Sequence, residues 1–185
     1  IELRAQAPRG CVATGIHHTL AATSTGALWA WGHGGEGRLG HGDEDNQLVP
    51  RRVEALAAGR VVHVAAGDDH TVAVTSTGAL WAWGHGDEGQ LGHGDTQRQL
   101  VPRQVAALAA GRVVQVAVGG EHTLAVMSTG ALWAWGCGGC GQLGHGDEQG
   151  QLVPRPVEAL AAERVAHVAA GDYHSLAVAS TGALW

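Results

Sequence analysis

The feature that leaves this chain the fewest choices is a repeat. Trp29, Trp81, Trp133 and Trp185 stand 52 residues apart, and His18, His70, His122 and His174 keep the same interval. Residues 53–104 and 105–156 are identical at 39 of 52 positions with no insertion, so the copies must adopt one local structure. The phases run 1–52, with an atypical N-terminal strand, then 53–104, 105–156 and an incomplete 157–185. We read residues 1–185 as one segment. Periods of this kind point to propellers or to helical arrays.

Strand signals decide between the two. Each unit holds three short runs, as in 113–118, 122–127 and 131–135, rich in Val, Thr, Leu and Trp and separated by Gly-containing turns such as Ser128-Thr129-Gly130. A fourth run, residues 152–157, contains Pro154 and Pro156, which cannot donate to a ladder, so it suits an edge strand. The spacing therefore predicts an all-β chain of four-stranded antiparallel blades, a β-propeller. Residues 107–111, Ala-Leu-Ala-Ala-Gly, are long enough for one turn of helix only.

An apolar share of 45% is enough to build a sizeable core. No apolar run approaches the roughly 20 residues of a membrane span, and the N-terminus lacks the order of a signal peptide. A net charge of -6, with Arg residues scattered among acidic neighbours, argues against nucleic acid as a partner. Three cysteines, Cys11, Cys137 and Cys140, give no disulfide framework and suit a reducing compartment. An intracellular location, cytoplasmic or nuclear, is expected. The chain starts at Ile1 without Met, which reads as a fragment, a processed form or the ordered part of something longer.

The tryptophans come in pairs two residues apart: Trp29 with Trp31, Trp81 with Trp83, Trp133 with Trp135, and Trp185 at the end. In a strand such a pair shares one face, opposite residues such as Leu80 and Ala82. Each sheet is then heavy on one side and light on the other. Indoles of one blade fill the space above the small residues of the next, each burying about 150–250 Å². All seven are assigned to the structural core.

The phrases Gly119-Gly120-Glu121-His122-Thr123, Gly130-Ala131-Leu132-Trp133-Ala134-Trp135-Gly136 and Gly141-Gln142-Leu143-Gly144-His145-Gly146-Asp147, followed by Leu152-Val153-Pro154, resemble the regulator of chromosome condensation repeat. The resemblance extends from about residue 10 to 185 and implies a propeller, usually of seven blades. Its members serve in nucleotide exchange on Ran with chromatin binding, in ultraviolet-B reception, and as scaffolds in ubiquitin ligases and ciliary proteins. Fold does not choose among these. About three and a half units form a partial ring. Residues 1–3 have the phase of Val53-Glu54-Ala55, expected inside a fourth strand, and Trp185 falls in a third. Either further repeats are missing, or copies associate edge to edge as a homodimer or larger ring-completing oligomer.

Light sensing in the family rests on Trp and Arg between the Gly and the His-Thr of the repeat. Here those pairs are Ile16-His17, Asp68-Asp69, Gly120-Glu121 and Asp172-Tyr173, so the resemblance does not carry the photochemistry over. The pairs vary while the flanking Gly and His stay fixed, as expected where a constant scaffold presents a specialised surface. Asp68, Asp69, Glu121 and Asp172 make the column acidic, Tyr173 adds an aromatic anchor, and a basic protein partner suits it.

The other candidate chemistry has a plainer reading. His41, His93 and His145 recur in Gly-His-Gly-Asp loops, where Asp bonds nearby amides. His18, His70, His122 and His174 lie one per blade, whereas zinc needs ligands converging on a point, so they are assigned structural hydrogen bonds and no metal is expected. Cys137 and Cys140 form a single CxxC in a loop, without a second pair. Ser24, Ser76, Ser128 and Ser180 are hairpin residues, and no phosphate loop is present, so no cofactor and no catalysis are expected. The resulting expectation is a non-enzymatic protein-interaction scaffold, with His17, Asp68, Asp69, Glu121, Asp172 and Tyr173 meeting the partner. The alternatives are a nucleotide exchange factor for a Ran-like GTPase, for which the equal repeats leave no protruding insertion, and a duplicated or designed array with no selected ligand.

Overall fold

The structure is a computed structural model that describes residues 10–185. Fourteen strands form four sheets among the described residues. The first blade holds β1 (Cys11–Thr14), β2 (His18–Ala22), β3 (Leu28–Gly32) and β4 (Gln47–Arg52). The second holds β5 (Val61–Ala66), β6 (His70–Thr75), β7 (Leu80–Gly84) and β8 (Gln99–Gln104). The third holds β9 (Val113–Val118), β10 (His122–Met127), β11 (Leu132–Gly136) and β12 (Gln151–Pro156). β13 (Val165–Ala170) and β14 (Ser175–Ala179) pair in the fourth unit, where Leu184 adds one bridge to Val178. Every sheet is an antiparallel meander in chain order. The result is a partial propeller that does not close.

The proline-bearing runs are the outer edge strands β4, β8 and β12, as their missing donors require. Each third-to-fourth pairing shifts register beside the second Trp of the pair, between Ala82 and Gly84 in the second blade. From the outer edge the chain returns to the next inner strand through a one-turn 3₁₀ helix, such as Ala106–Leu108, whose Leu108 is buried with Val105 at its start. The reading of residues 1–3 as part of a fourth strand falls outside the described residues; their counterparts 53–55 lie just past β4, at the start of such a turn.

The core sits in the joints between blades. One cluster joins Leu20, Leu28 and Leu39 of the first blade to Ala73 and Trp83 of the second, and another joins Val72, Leu80 and Leu91 to Ala125 and Trp135. The indoles reach back onto the preceding blade rather than forward onto the next: Trp83 Nε1 donates to Arg38 O and Trp135 Nε1 to Gln90 O, each at 2.9 Å. A side chain on Gly40 or Gly92 would collide with that indole, 2.7 Å from its nitrogen.

The seven tryptophans are not equivalent. Trp83 and Trp135 are fully buried, Trp29, Trp31, Trp81 and Trp133 are half-buried, and Trp185 is 55% exposed. Trp185 therefore stands apart from the core to which the pattern assigned it. Burial requires a neighbouring blade over the indole, and the paired spacing encodes only the shared face.

The fixed histidines are wired across the same joints. His18 Nε2 meets Thr71 Oγ1 at 2.9 Å, His70 Nε2 meets Thr123 Oγ1 at 3.1 Å, and His122 Nε2 meets Ser175 Oγ at 2.9 Å. Each hydroxyl donates onward to a carbonyl of the preceding blade: Thr71 to Arg38, Thr123 to Gln90 and Ser175 to Gln142. A hydroxyl that donates its one proton to a carbonyl must accept from the imidazole, so Nε2 carries the hydrogen. Nδ1 of all three has no partner. Burial pushes His18 and His122 down to about 4 and His70 to about 3, which keeps them neutral.

Candidate functional site: an acidic crescent at the inner loops

The loop between the first and second strand of each blade carries the variable pair. Its leading glycine is fixed by a joint, not by turn geometry. A Cβ on Gly67 would stand 2.5 Å from Gly119 O, and one on Gly119 2.5 Å from Gly171 O. Adjacent loops thus touch backbone to backbone, which gathers the four variable pairs on one side of the array.

They surround a depression of about 250 Å³ lined by Gly15, Gly67, Gly119 and Gly171 together with Ile16, Asp68 and Asp172. The first residues of three pairs, Ile16, Asp68 and Asp172, line this depression, whereas Gly120 and the second residue of every pair lie outside its lining. Gly120 occupies the first position of the third blade, and a Cβ there would approach Asp68 Oδ2 to 3.2 Å and Asp172 O to 3.5 Å. The glycine leaves Asp68 and Asp172 as near neighbours. Desolvation, helped by the charges of Asp172 and Asp69, holds the Asp68 carboxyl above its ordinary range; His17 and Arg38 oppose it. Glu121 is raised in the same way, by desolvation first and then by Glu88, with His85 opposing. The crescent therefore carries more negative charge than its own groups can neutralise.

His17 sits edge-on to His33, ring centroids 6.1 Å apart, and Tyr173 is 68% exposed. Asp69 is not free. Its carboxylate accepts from Arg38 at 2.5 Å, while the same guanidinium donates to Asp68 O at 3.2 Å and, through Nε, to Gly35 O at 2.8 Å. Arg38 is only 4% exposed and belongs to the preceding blade, so it fixes the Asp68-Asp69 loop from across the joint. Sequence reasoning passed over it. The signal was a break in the repeat, because the same phase holds Gln90 and Gln142. Gln90 instead accepts from Glu88 N–H and donates to His85 Nδ1, and Gln142 accepts from Cys140 N–H.

The remaining candidates are structural or unassigned. His93 and His145 donate through Nε2 to the carbonyls of Ala82 and Ala134, both at 3.2 Å, and Asp95 and Asp147 accept from nearby amides. Cys137 and Cys140 are free thiols, half-buried and exposed respectively, the first just before and the second within a Gly138–Gly141 turn. Among the described residues no three His, Cys, Asp or Glu gather as a metal site, and no helix is long and apolar enough to cross a membrane.

Comparison with known proteins matches this geometry to one family. The model of the RCC1-like domain matches residues 4–185. The chain is 40% identical over 174 residues to the ultraviolet-B receptor UVR8 of Arabidopsis thaliana, covering 94% of this chain and 40% of that protein. It is 40% identical over 176 residues to the human E3 ubiquitin-protein ligase HERC2, covering 94% of this chain and 4% of that protein. Among solved structures, that of Kap60 bound to yeast RCC1 (Prp20) aligns with a TM-score of 0.79 at 30% identity, over 94% of this chain and 42% of the other. The chain spans well under half the length of each.

Proposed function

The chain belongs to the RCC1-like domain family, and from that premise we propose that it is a non-enzymatic scaffold whose acidic crescent receives a basic segment of a partner protein. The observation that carries this reading is the placement of Asp68 and Asp172 beside one depression, both ionisable and neither neutralised by a cation of its own. A Lys or Arg side chain entering there offsets the desolvation and the charges of Asp172 and Asp69 that together raise the Asp68 carboxyl, and forms an ion pair with it. Exposed Tyr173 and Glu121 flank the approach and offer a ring face and a second carboxylate to the same segment. Yeast RCC1 (Prp20), to which this chain is similar, has been crystallised with Kap60 bound, which supports a protein as the kind of partner. The rigid joints supply the affinity, because the loops are held before the partner arrives.

The test is fluorescence anisotropy with a labelled Lys/Arg-rich peptide and a neutral peptide of equal length. The basic peptide binds, binding weakens with added salt, and the D68N/D172N pair of substitutions weakens it by about tenfold or more. Equal binding of both peptides, or no effect of the substitutions, removes the crescent as the site. The same preparation added to a fluorescently loaded Ran-like GTPase checks the exchange reading: accelerated nucleotide release replaces the scaffold with a catalyst, whereas unchanged release leaves the scaffold standing.

A further inference from the structure

The chain contains no lysine, and of the nine arginines among the described residues six pair with a carboxylate within 4.0 Å. The three that do not are Arg60, Arg112 and Arg164, which share one position of the repeat. We propose that they form a second recognition face, on the side opposite the acidic crescent, that receives an acidic segment of a partner protein. This face stands independently of what binds the crescent.

Each of these arginines precedes the innermost strand of its blade: Arg60 stands before β5, Arg112 before β9 and Arg164 before β13. Asp68 follows β5 at its other end, so the length of a six-residue strand, roughly 20 Å, separates the two groups. Backbone bonds tie the arginines into one rim. The N–H groups of Val61, Val113 and Val165 donate to the carbonyls of Gly26, Gly78 and Gly130 in the preceding blade's hairpin, each at 3.0 Å. The N–H groups of Ser76, Ser128 and Ser180, in the hairpin of the arginine's own blade, donate to the carbonyls of Arg60, Arg112 and Arg164. Hairpin and arginine therefore alternate from Gly26 to Ser180. Arg60 and Arg112 have complete blades on both sides, so their exposure belongs to the finished joint.

The three side chains also leave the backbone in the same way. A Cβ on Gly26, Gly78 or Gly130 would collide with Cγ of the arginine, so each aliphatic stem lies on the bare glycine of the neighbouring hairpin. With its stem held, the guanidinium has less freedom to lose when it meets an anion. Arg60 commits one donor, Nη2, to Ser24 O at 3.0 Å and keeps the rest. Beside it Arg52, Thr25 and Gly26 help to line a depression of about 200 Å³. Arg52 Nε is buried there without a hydrogen-bond partner, and its carboxylate, Glu54, is 4.0 Å away. Two guanidinium groups thus border one recess of carboxylate size. Carboxylates are sparse along the rim: Glu54 precedes Arg60, Glu158 and Glu163 precede Arg164, and residues 105–111 ahead of Arg112 hold none. A net charge of -6 repels a dense polyanion such as nucleic acid, whereas carboxylates spaced along a peptide can meet one guanidinium per joint.

Fluorescence anisotropy with a labelled Asp/Glu-rich peptide, and with its Asn/Gln counterpart as control, tests the proposal. The acidic peptide should bind saturably and more weakly as salt is added, and R60Q/R112Q/R164Q should lower its affinity by about tenfold or more. All three positions are exposed, and circular dichroism checks that the variant keeps its strands. D68N/D172N, which strips the crescent, should not weaken this binding, so failure of one face is read apart from failure of the other. A second measurement needs no variant: on the unaltered chain the acidic peptide should protect Arg60, Arg112 and Arg164 from phenylglyoxal, read by mass spectrometry. Equal binding of the two peptides, acidic binding that survives the triple substitution, protection of other arginines instead, or tighter binding of a single-stranded oligonucleotide of equal charge overturns the proposal.

Discussion

A single imidazole shows how much this molecule asks of its repeated positions. His70 is fully buried, donates through Nε2 to Thr123, and has no hydrogen-bond partner at Nδ1. Its pKa falls to about 3, mainly by desolvation, with His18, His122 and His85 adding like charge. The folded-state values of His18, His70 and His122 thus lie below the ordinary histidine value near 6.5. Above that value both states are neutral and the joints hold in full. As pH falls below it, the unfolded chain takes up protons that the native chain refuses, so stability is lost until the native values are reached. Unfolding free energies from urea titrations at about pH 7 down to about pH 5 should fall by roughly 1 kcal/mol per pH unit for each of these histidines. H70Q keeps an N–H donor and should remove the share of that slope that belongs to His70, roughly 1 kcal/mol per pH unit.

At the scale of the element, the blades are defined by what their strands cannot carry. The edge strands accept proline because their outer donors face no ladder, and the inner loops accept only glycine because the neighbouring loop's carbonyl lies where a Cβ would be. G67A should therefore cost about 1–3 kcal/mol in thermal or chemical unfolding, since both colliding groups, a backbone carbonyl and the His70 ring, are held by their own bonds. G139A is the matching control: nothing lies within 4 Å of that position, and its effect should stay within about 0.5 kcal/mol. Equal costs at the two positions would mean that the loops are not in contact.

For the whole molecule, stability is a sum of joints rather than the property of one centre. The second and third blades are covered on both sides, and β6 and β10 are buried along their full length, whereas β14 has one covered face. Hydrogen exchange at low protein concentration should accordingly show the slowest amides in β6 and β10 and faster exchange in β14, read by mass spectrometry of peptides from each strand. Uniform protection across the blades would show a single cooperative unit instead.

The order of strands, the edge position of the proline runs and the structural use of His18, His70 and His122 were legible in the sequence; His174, given the same role there, makes no such side-chain bond among the described residues. They depend on local chemistry repeated every 52 residues. The acidic character of the variable pairs was legible from their residue types alone, once the fixed Gly and His on either side had marked their place. Arg38 was not: its partner Asp69 is 31 positions away, and only the stacking of blades brings them together. Nor was the ranking of the tryptophans. Trp31, Trp83 and Trp135 share one local phrase, yet Trp83 and Trp135 are sealed and Trp31 is half-buried. Sequence determines which face an indole points to, because strand geometry is local; tertiary structure decides whether that face is covered, because burial needs a second surface pressed against it.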